Sequence, residues 1–268
     1  MDKGTRTRSR TGVPVIRSGA PGSGVDQVVV EEPLEVRLDG ERVVVMMRTP
    51  GEDEALAAGF LRSESILCDR TDLVAIESVK SDESVWIDVR TRPGSSVLPE
   101  GWQHRLLANA ACGLCGKTTI EAVRLELPER GPVPRVSGAV LAELPGRLAE
   151  HQPVFTATGG IHAAALFDTD GNVLRVSEDV GRHNAVDKVI GHAFLEGSPP
   201  LDETILLVSG RAGFEIVQKA TVVGIRIVAA ISAPSSLAVD LAREAGLVLV
   251  AFLRDGRYNI YAGGDAIG

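Results

Sequence analysis

Between residues 204 and 253 the chain alternates in a way that leaves few folds open. "TILLVSG" is a buried-looking run of strand length, and "FEIVQKATVVG" has helical spacing. "RIVAAIS" is a second strand, "PSSLAVDLAREAG" a second helix with Gly246 as its stop, and "LVLVAFL" a third strand. Strand–helix–strand–helix–strand with short connections predicts parallel pairing through right-handed crossovers, and so an α/β unit. Parallel strands bring their C-terminal ends to one edge. That edge would receive Ser209-Gly210-Arg211, Ser232-Ala233-Pro234-Ser235-Ser236 and Arg254-Asp255-Gly256-Arg257. Open parallel sheets bind ligands there, and two arginine loops with a serine-rich loop suit phosphate or another anionic group. The competing reading is three solvated turns.

Upstream of this run, "HAAALFDTDGNVLRVSED" reads as two strands around Asp170-Gly171. "GRHNAVDKVIGHAFLEG" reads as a helix with Val186, Val189, Ile190, Ala193 and Phe194 on one stripe, closed by Gly197. The first half differs in texture. "VVVEEPLEVRLDGERVVVMMRTP" gives two strands around the hairpin dipeptide Asp39-Gly40, "GEDEALAAGFLRSE" a helix, and "LVAIESVK" with "SVWIDVRT" a second antiparallel pair. "AVRLELP" supplies a further strand. The expected organisation is a flexible tail over 1–27, a strand-rich α+β region over 28–127, a connecting segment over 128–152, and the α/β domain over 153–268.

A net charge of −8 argues against nucleic acid as a partner. The apolar stretches are strand-sized or broken by polar residues, so no stable membrane insertion is expected and cytoplasm is the default location.

Chemistry concentrates at "ANAACGLCGKTTI", where Cys112 and Cys115 are each followed by glycine. The chain has only one other cysteine, Cys68, without a partner nearby and read as buried or incidental. A four-cysteine zinc site is therefore excluded. Zinc deaminase chemistry requires H-x-E ahead of the cysteine pair. Here His162 follows the cysteines and Ala163-Ala164-Ala165 follows it, so the proton-transfer carboxylate is missing. A metal held by the two thiolates and a distant histidine with one position open, a two-thiol exchange site and a persulfide carrier all remain open from the residues, beside two small buried cysteines. His183 stands near a helix start where it could orient a ligand oxygen. His162 reads rather as satisfying a backbone group on a packed strand, and Asp179 as a helix cap.

Long ordered motifs are more specific than this spacing. "EEPLEVRLDG", "MRTPGEDEALAAGFLRSE", "CGLCGK", "TGGIHAAALFD", "EDVGRHNAVDKVIG", "SGRAGFEIVQKA", "AAISAPSSLAVDLAREAGL" and "FLRDGRYNIY" run through residues 28–262. Together they closely resemble the FdhD family, the sulfurtransferase accessory proteins of formate dehydrogenase. The resemblance implies a cytidine-deaminase-like α/β C-terminal domain without deaminase activity, a homodimer, and a sulfur carrier. It further implies a cysteine desulfurase as sulfur donor, the bis-molybdopterin guanine dinucleotide form of molybdenum cofactor as acceptor, and formate dehydrogenase as recipient. It maps the persulfide position onto Cys112 and the second motif cysteine onto Cys115. It assigns cofactor binding to Phe252, Leu253, Arg254, Asp255, Gly256 and Arg257, to which the edge loop adds Ser209, Gly210 and Arg211; no resident metal is implied. One departure from the family pattern is Gly213, where serine is expected. The alternative function is a noncatalytic chaperone that binds and delivers the same cofactor.

Overall fold

The computed structural model of the chain describes residues 8–16, 18, 23–80, 85–96, 98 and 132–268. Cys112, Cys115 and the expected strand "AVRLELP" lie outside the described residues.

Among the described residues the first element is a two-stranded ribbon, β1 (Ser9–Ile16) against β2 (Ser23–Val29), within the stretch expected to be a flexible tail. A ribbon of paired backbones needs no apolar stripe of its own. This one lies against a short helix far along the chain, which the periodicity of residues 1–27 cannot report.

The strand-rich unit follows the expected order. β3 (Glu32–Leu38) and β4 (Glu41–Arg48) form a hairpin through Asp39 and Gly40, with φ of 52° and 84°. Positive φ at both central residues is what a two-residue hairpin turn of the right twist demands. α1 (Asp53–Ser63), β5 (Leu73–Lys80) and β6 (Val85–Thr91) complete a four-stranded sheet of order β4-β3-β6-β5. Leu34, Val36 and Leu38 alternate onto its inner face and meet Leu56, Phe60 and Leu61 of α1.

The expected connecting segment over 128–152 contains a helix, α2 (Gly138–Ala149), N-capped by the Ser137 hydroxyl. α3 (Pro153–Thr158) is the short helix under the ribbon. Next come β7 (His162–Phe167), β8 (Val173–Asp179), α4 (Arg182–Glu196), β9 (Ile205–Val208), α5 (Phe214–Val223), β10 (Ile227–Ala230), α6 (Ser236–Glu244), β11 (Val248–Arg254) and β12 (Arg257–Ala262). The six strands form one sheet of order β12-β11-β10-β9-β7-β8. β9, β10 and β11 are parallel, as the alternation required, whereas β7 runs antiparallel to β9 and β12 antiparallel to β11.

Both faces of this sheet are covered. Leu206, Val208, Val228, Ala230 and Leu249 pack under α4, α5 and α6; Ile205, Leu207, Ile227, Ala229 and Val250 pack under Leu141, Leu144 and Leu148 of α2. Because both faces are dry, the short strands "ILLV" and "IVAA" are buried at every residue.

The two sheets meet through α1 and α4. A Cβ on Gly59 would lie 1.8 Å from the Asp187 carbonyl oxygen, and a Cβ on Gly191 would lie 1.8 Å from that of Ala55. Reciprocal glycines let the two backbones touch. The architecture is a mixed α/β protein with several sheets, and none of its described helices is long and apolar enough to cross a membrane.

Candidate functional site

Parallel β9, β10 and β11 deliver their following loops to one edge, and the structure ties those loops together. Ala212 and Pro234 form an isolated parallel bridge, and Ser235 N–H donates to the Ala212 carbonyl at 3.0 Å. Phe252 N–H donates to the Ser232 carbonyl at 3.1 Å. The expected edge is therefore one continuous surface.

Its most distinctive feature is the hairpin from β11 into β12. Between Ala251 and Arg254 the chain takes three steps while β12 takes two, from Asn259 to Arg257. The extra residue makes a bulge, and Phe252 in it has a φ of 55°. A bulky side chain at positive φ is strained, and such strain persists only where the surroundings impose it, as at ligand clamps. Asp255 (φ 54°) and Gly256 (φ 70°) then make a two-residue turn.

The bulge and turn open a cleft of about 350 Å³ lined by Phe252, Arg254, Asp255, Arg257, Tyr258 and Asn259. The Arg254 guanidinium lies 5.9 Å from the Phe252 ring centroid. Arg254, Asp255 and Arg257 are exposed, and among the described residues no carboxylate lies within ion-pair distance of either arginine. A cleft with an aromatic wall, two cations and one carboxylate can stack a flat base and bind phosphate oxygens.

The expected site residues sort into different roles. Phe252, Arg254, Asp255 and Arg257 line the cleft, and Gly256 makes the turn. Leu253 does not belong with them: its side chain is fully buried on the α2 face, where the bulge turns it inward as the anchor of the hairpin. Ser209 is engaged in the sheet. Its N–H donates to the Ala163 carbonyl, and its hydroxyl oxygen accepts from Ala163 N–H, each at 2.9 Å. Arg211 is exposed beyond it. Gly213 occupies the N-cap of α5, where no side chain can cap the helix.

Other residues reached this region without being assigned to it. Tyr258 and Asn259 line the cleft because β12 pairs back along β11. The Asp255-Gly256 dipeptide carries the same hairpin signal as Asp39-Gly40 and could have located that strand. His162 stands at the start of β7, beside the end of antiparallel β9, with its Nδ1 3.4 Å from where a Cβ on Gly210 would sit. Among the described residues its ring forms no hydrogen bond, so it does not satisfy a strand backbone group as expected. Burial first, and then the Arg182 charge, hold its pKa below the ordinary histidine value, against an upward pull from Asp179. His183 is buried at the start of α4, 4.0 Å from the Glu215 carboxylate.

Asp179, read as a cap, is chiefly a buried ion-pair partner. It lies 2.7 Å from Lys188, with both side chains fully buried, and accepts from Thr49 N–H, Gly181 N–H and the Asn184 amide. The N-cap of α4 is Gly181. Cys68 is exposed rather than buried.

Comparison with known proteins shows the family and the fold. The FdhD/NarQ family matches residues 29–268. A sulfur carrier protein FdhD from Streptomyces coelicolor is 48% identical over 98% of this chain and 96% of its own. One from Streptomyces avermitilis is 49% identical over 96% of this chain and 95% of its own. One from Picrophilus torridus is 44% identical over 88% and 90%. A crystal structure described as a formate dehydrogenase accessory protein from Desulfotalea psychrophila superposes with a TM-score of 0.76 at 23% identity, covering 97% of this chain and 98% of that one, and so shares the fold. With nearly the whole chain matched at this level, the protein belongs to the FdhD/NarQ family.

Proposed function

We propose that this protein is a sulfur carrier that takes sulfur from a cysteine desulfurase and hands it to the bis-molybdopterin guanine dinucleotide molybdenum cofactor destined for formate dehydrogenase. Family membership and the names of its relatives support the carrier role. The observation that carries the acceptor side is the strained Phe252 hairpin, whose cleft offers an aromatic wall and two exposed arginines to a guanine nucleotide. The cofactor is substrate here, held through its nucleotide end. In this reading the C-terminal domain is of the cytidine-deaminase-like class, and the protein works as a cytoplasmic homodimer.

The transfer divides into two steps. Cys112 thiolate attacks the terminal sulfur of the desulfurase persulfide; the sulfur–sulfur bond breaks, the desulfurase thiolate leaves, and Cys112 holds the persulfide. Delivery of that sulfur as sulfide consumes two electrons. Cys115 supplies them by closing a disulfide with Cys112, releasing sulfide that replaces a metal-bound oxygen, which leaves as water. Each step balances without an outside oxidant, and a thiol reductant reopens the Cys112–Cys115 disulfide before the next cycle.

Intact-protein mass spectrometry after incubation with a cysteine desulfurase and cysteine tests this reading. An added sulfur should map to Cys112 and be absent from Cys112→Ala, while Cys115→Ala should load sulfur yet deliver it poorly. Normal loading and formate dehydrogenase activation by Cys112→Ala would leave the noncatalytic chaperone as the better account of the same cleft.

A further inference from the structure

Three elements converge at the same edge of the six-stranded sheet as the hairpin cleft and leave a second cationic group there. β8 runs antiparallel to β7, so the residues after β8 arrive at the same sheet edge as His162. Arg182 opens α4 at that point, and its Cβ lies 3.8 Å from the Cβ position of Gly210, whose other neighbour is the His162 ring. The Ser209–Ala163 pair of hydrogen bonds fixes the backbone at the start of β7, next to the residue that carries the ring. Gly210 leaves the space beside Nδ1 empty.

The charges around this pair are not balanced. Arg182 Nε is buried without a hydrogen-bond partner, and no carboxylate lies within ion-pair distance of Arg182 among the described residues. Asp179 on β8 faces His162 in register but is paired with Lys188, and Glu215 on α5 faces His183 on α4. Arg211, after β9, adds a further exposed cation. A cation held beside an imidazole discourages its protonation; an anion seated between them reverses the balance.

We propose that His162 and Arg182 form a phosphate subsite, distinct from the Arg254–Arg257 cleft, in which the imidazole takes up a proton as the phosphate binds. Three strand spacings separate β7 from β11, roughly 15 Å, which lies within the length of a dinucleotide. One extended ligand would then touch both places. The proposal rests on the guanine-nucleotide reading above and adds to it a second contact and a proton.

Guanosine diphosphate is a suitable probe for the full chain. With five histidines in the sequence, imidazole NMR signals can be assigned by loss, His162 being the signal missing from His162→Gln. In the free protein its titration midpoint should lie below the ordinary histidine value, and saturating guanosine diphosphate should move it upward by about one pH unit, equivalent to roughly tenfold tighter binding to the protonated form. Gly210→Ala, which puts a methyl group in van der Waals contact with the ring where the phosphate would sit, should weaken binding several-fold in a folded protein. Arg182→Gln should weaken it by roughly 10- to 100-fold, as expected for a lost charge-assisted hydrogen bond. Saturable, Arg257-dependent binding that leaves the His162 midpoint unmoved would overturn the subsite and leave the proposed function standing. Absence of any guanosine diphosphate binding would overturn both.

Discussion

The seam between the two sheets and the ligand-facing edge of the six-stranded sheet both carry cations, and they treat them oppositely. At the seam Lys188 pairs with Asp179 and Arg48 with Asp53, each cation with no exposed side-chain surface. Lys219 is held between Asp187 and Glu64, 2.9 and 3.2 Å away. Burial works against the Lys219 charge, yet these two carboxylates outweigh it and raise its pKa. At the edge Arg254 and Arg257 face solvent beside a strained Phe252. A fully buried charge requires a partner from its own chain, because desolvation leaves no other source of compensation. An exposed one can await a partner from outside. Removing a cation should therefore unfold the first region and disarm the second.

The largest effect is expected where the seam is tightest. Gly191→Ala would drive a methyl group into the Ala55 carbonyl, and should destabilise by about 3–5 kcal/mol or prevent folding. Gly59→Ala should behave alike. Denaturant melts of both variants provide the measurement, and near-wild-type midpoints would show that the helices can separate freely.

A smaller, pH-dependent effect is expected at Glu52, which precedes α1 at the same seam. Burial disfavours its charge, but the His192 hydrogen bond, the Lys188 and Arg8 charges and the Ser177 hydroxyl together hold its pKa down at about 2. A depressed carboxylate stabilises the fold above its unfolded pKa near 4.5, and that stability is lost as pH falls through the folded value. The loss should be on the order of 3 kcal/mol. Glu52→Gln should be less stable than wild type at pH 6, and the gap should close between pH 4.5 and 2. A gap independent of pH in unfolding curves would assign the residue a steric role instead.

The edge should respond in the other currency. Arg257→Ala should shift unfolding by no more than about 0.5 kcal/mol, while guanosine diphosphate affinity falls roughly tenfold. Equal losses of stability and binding would erase the contrast between the regions.

The sequence alone determined the features that depend on neighbours along the chain. The alternation of apolar runs and helical spacing imposed parallel β9, β10 and β11 with a shared edge, since a right-twisted strand feeding a helix can return in only one hand. Asp39-Gly40 and the helix stop at Gly197 were legible because positive φ restricts the residues that can occupy those positions. Tertiary structure decided what periodicity does not encode: which element covers which face. The Gly59–Gly191 contact joins helices more than a hundred residues apart, and Asp179 became a buried partner of Lys188 because β8 and α4 close over it. Leu253 turned into the core and Phe252 toward the cleft because one unpaired residue in β11 shifts the alternation of side chains. His162 reached Gly210 only because β7 runs against β9 and Ser209 clamps its second residue. Local chirality and turn chemistry are written in short windows of sequence, whereas these contacts exist only once distant backbones have paired.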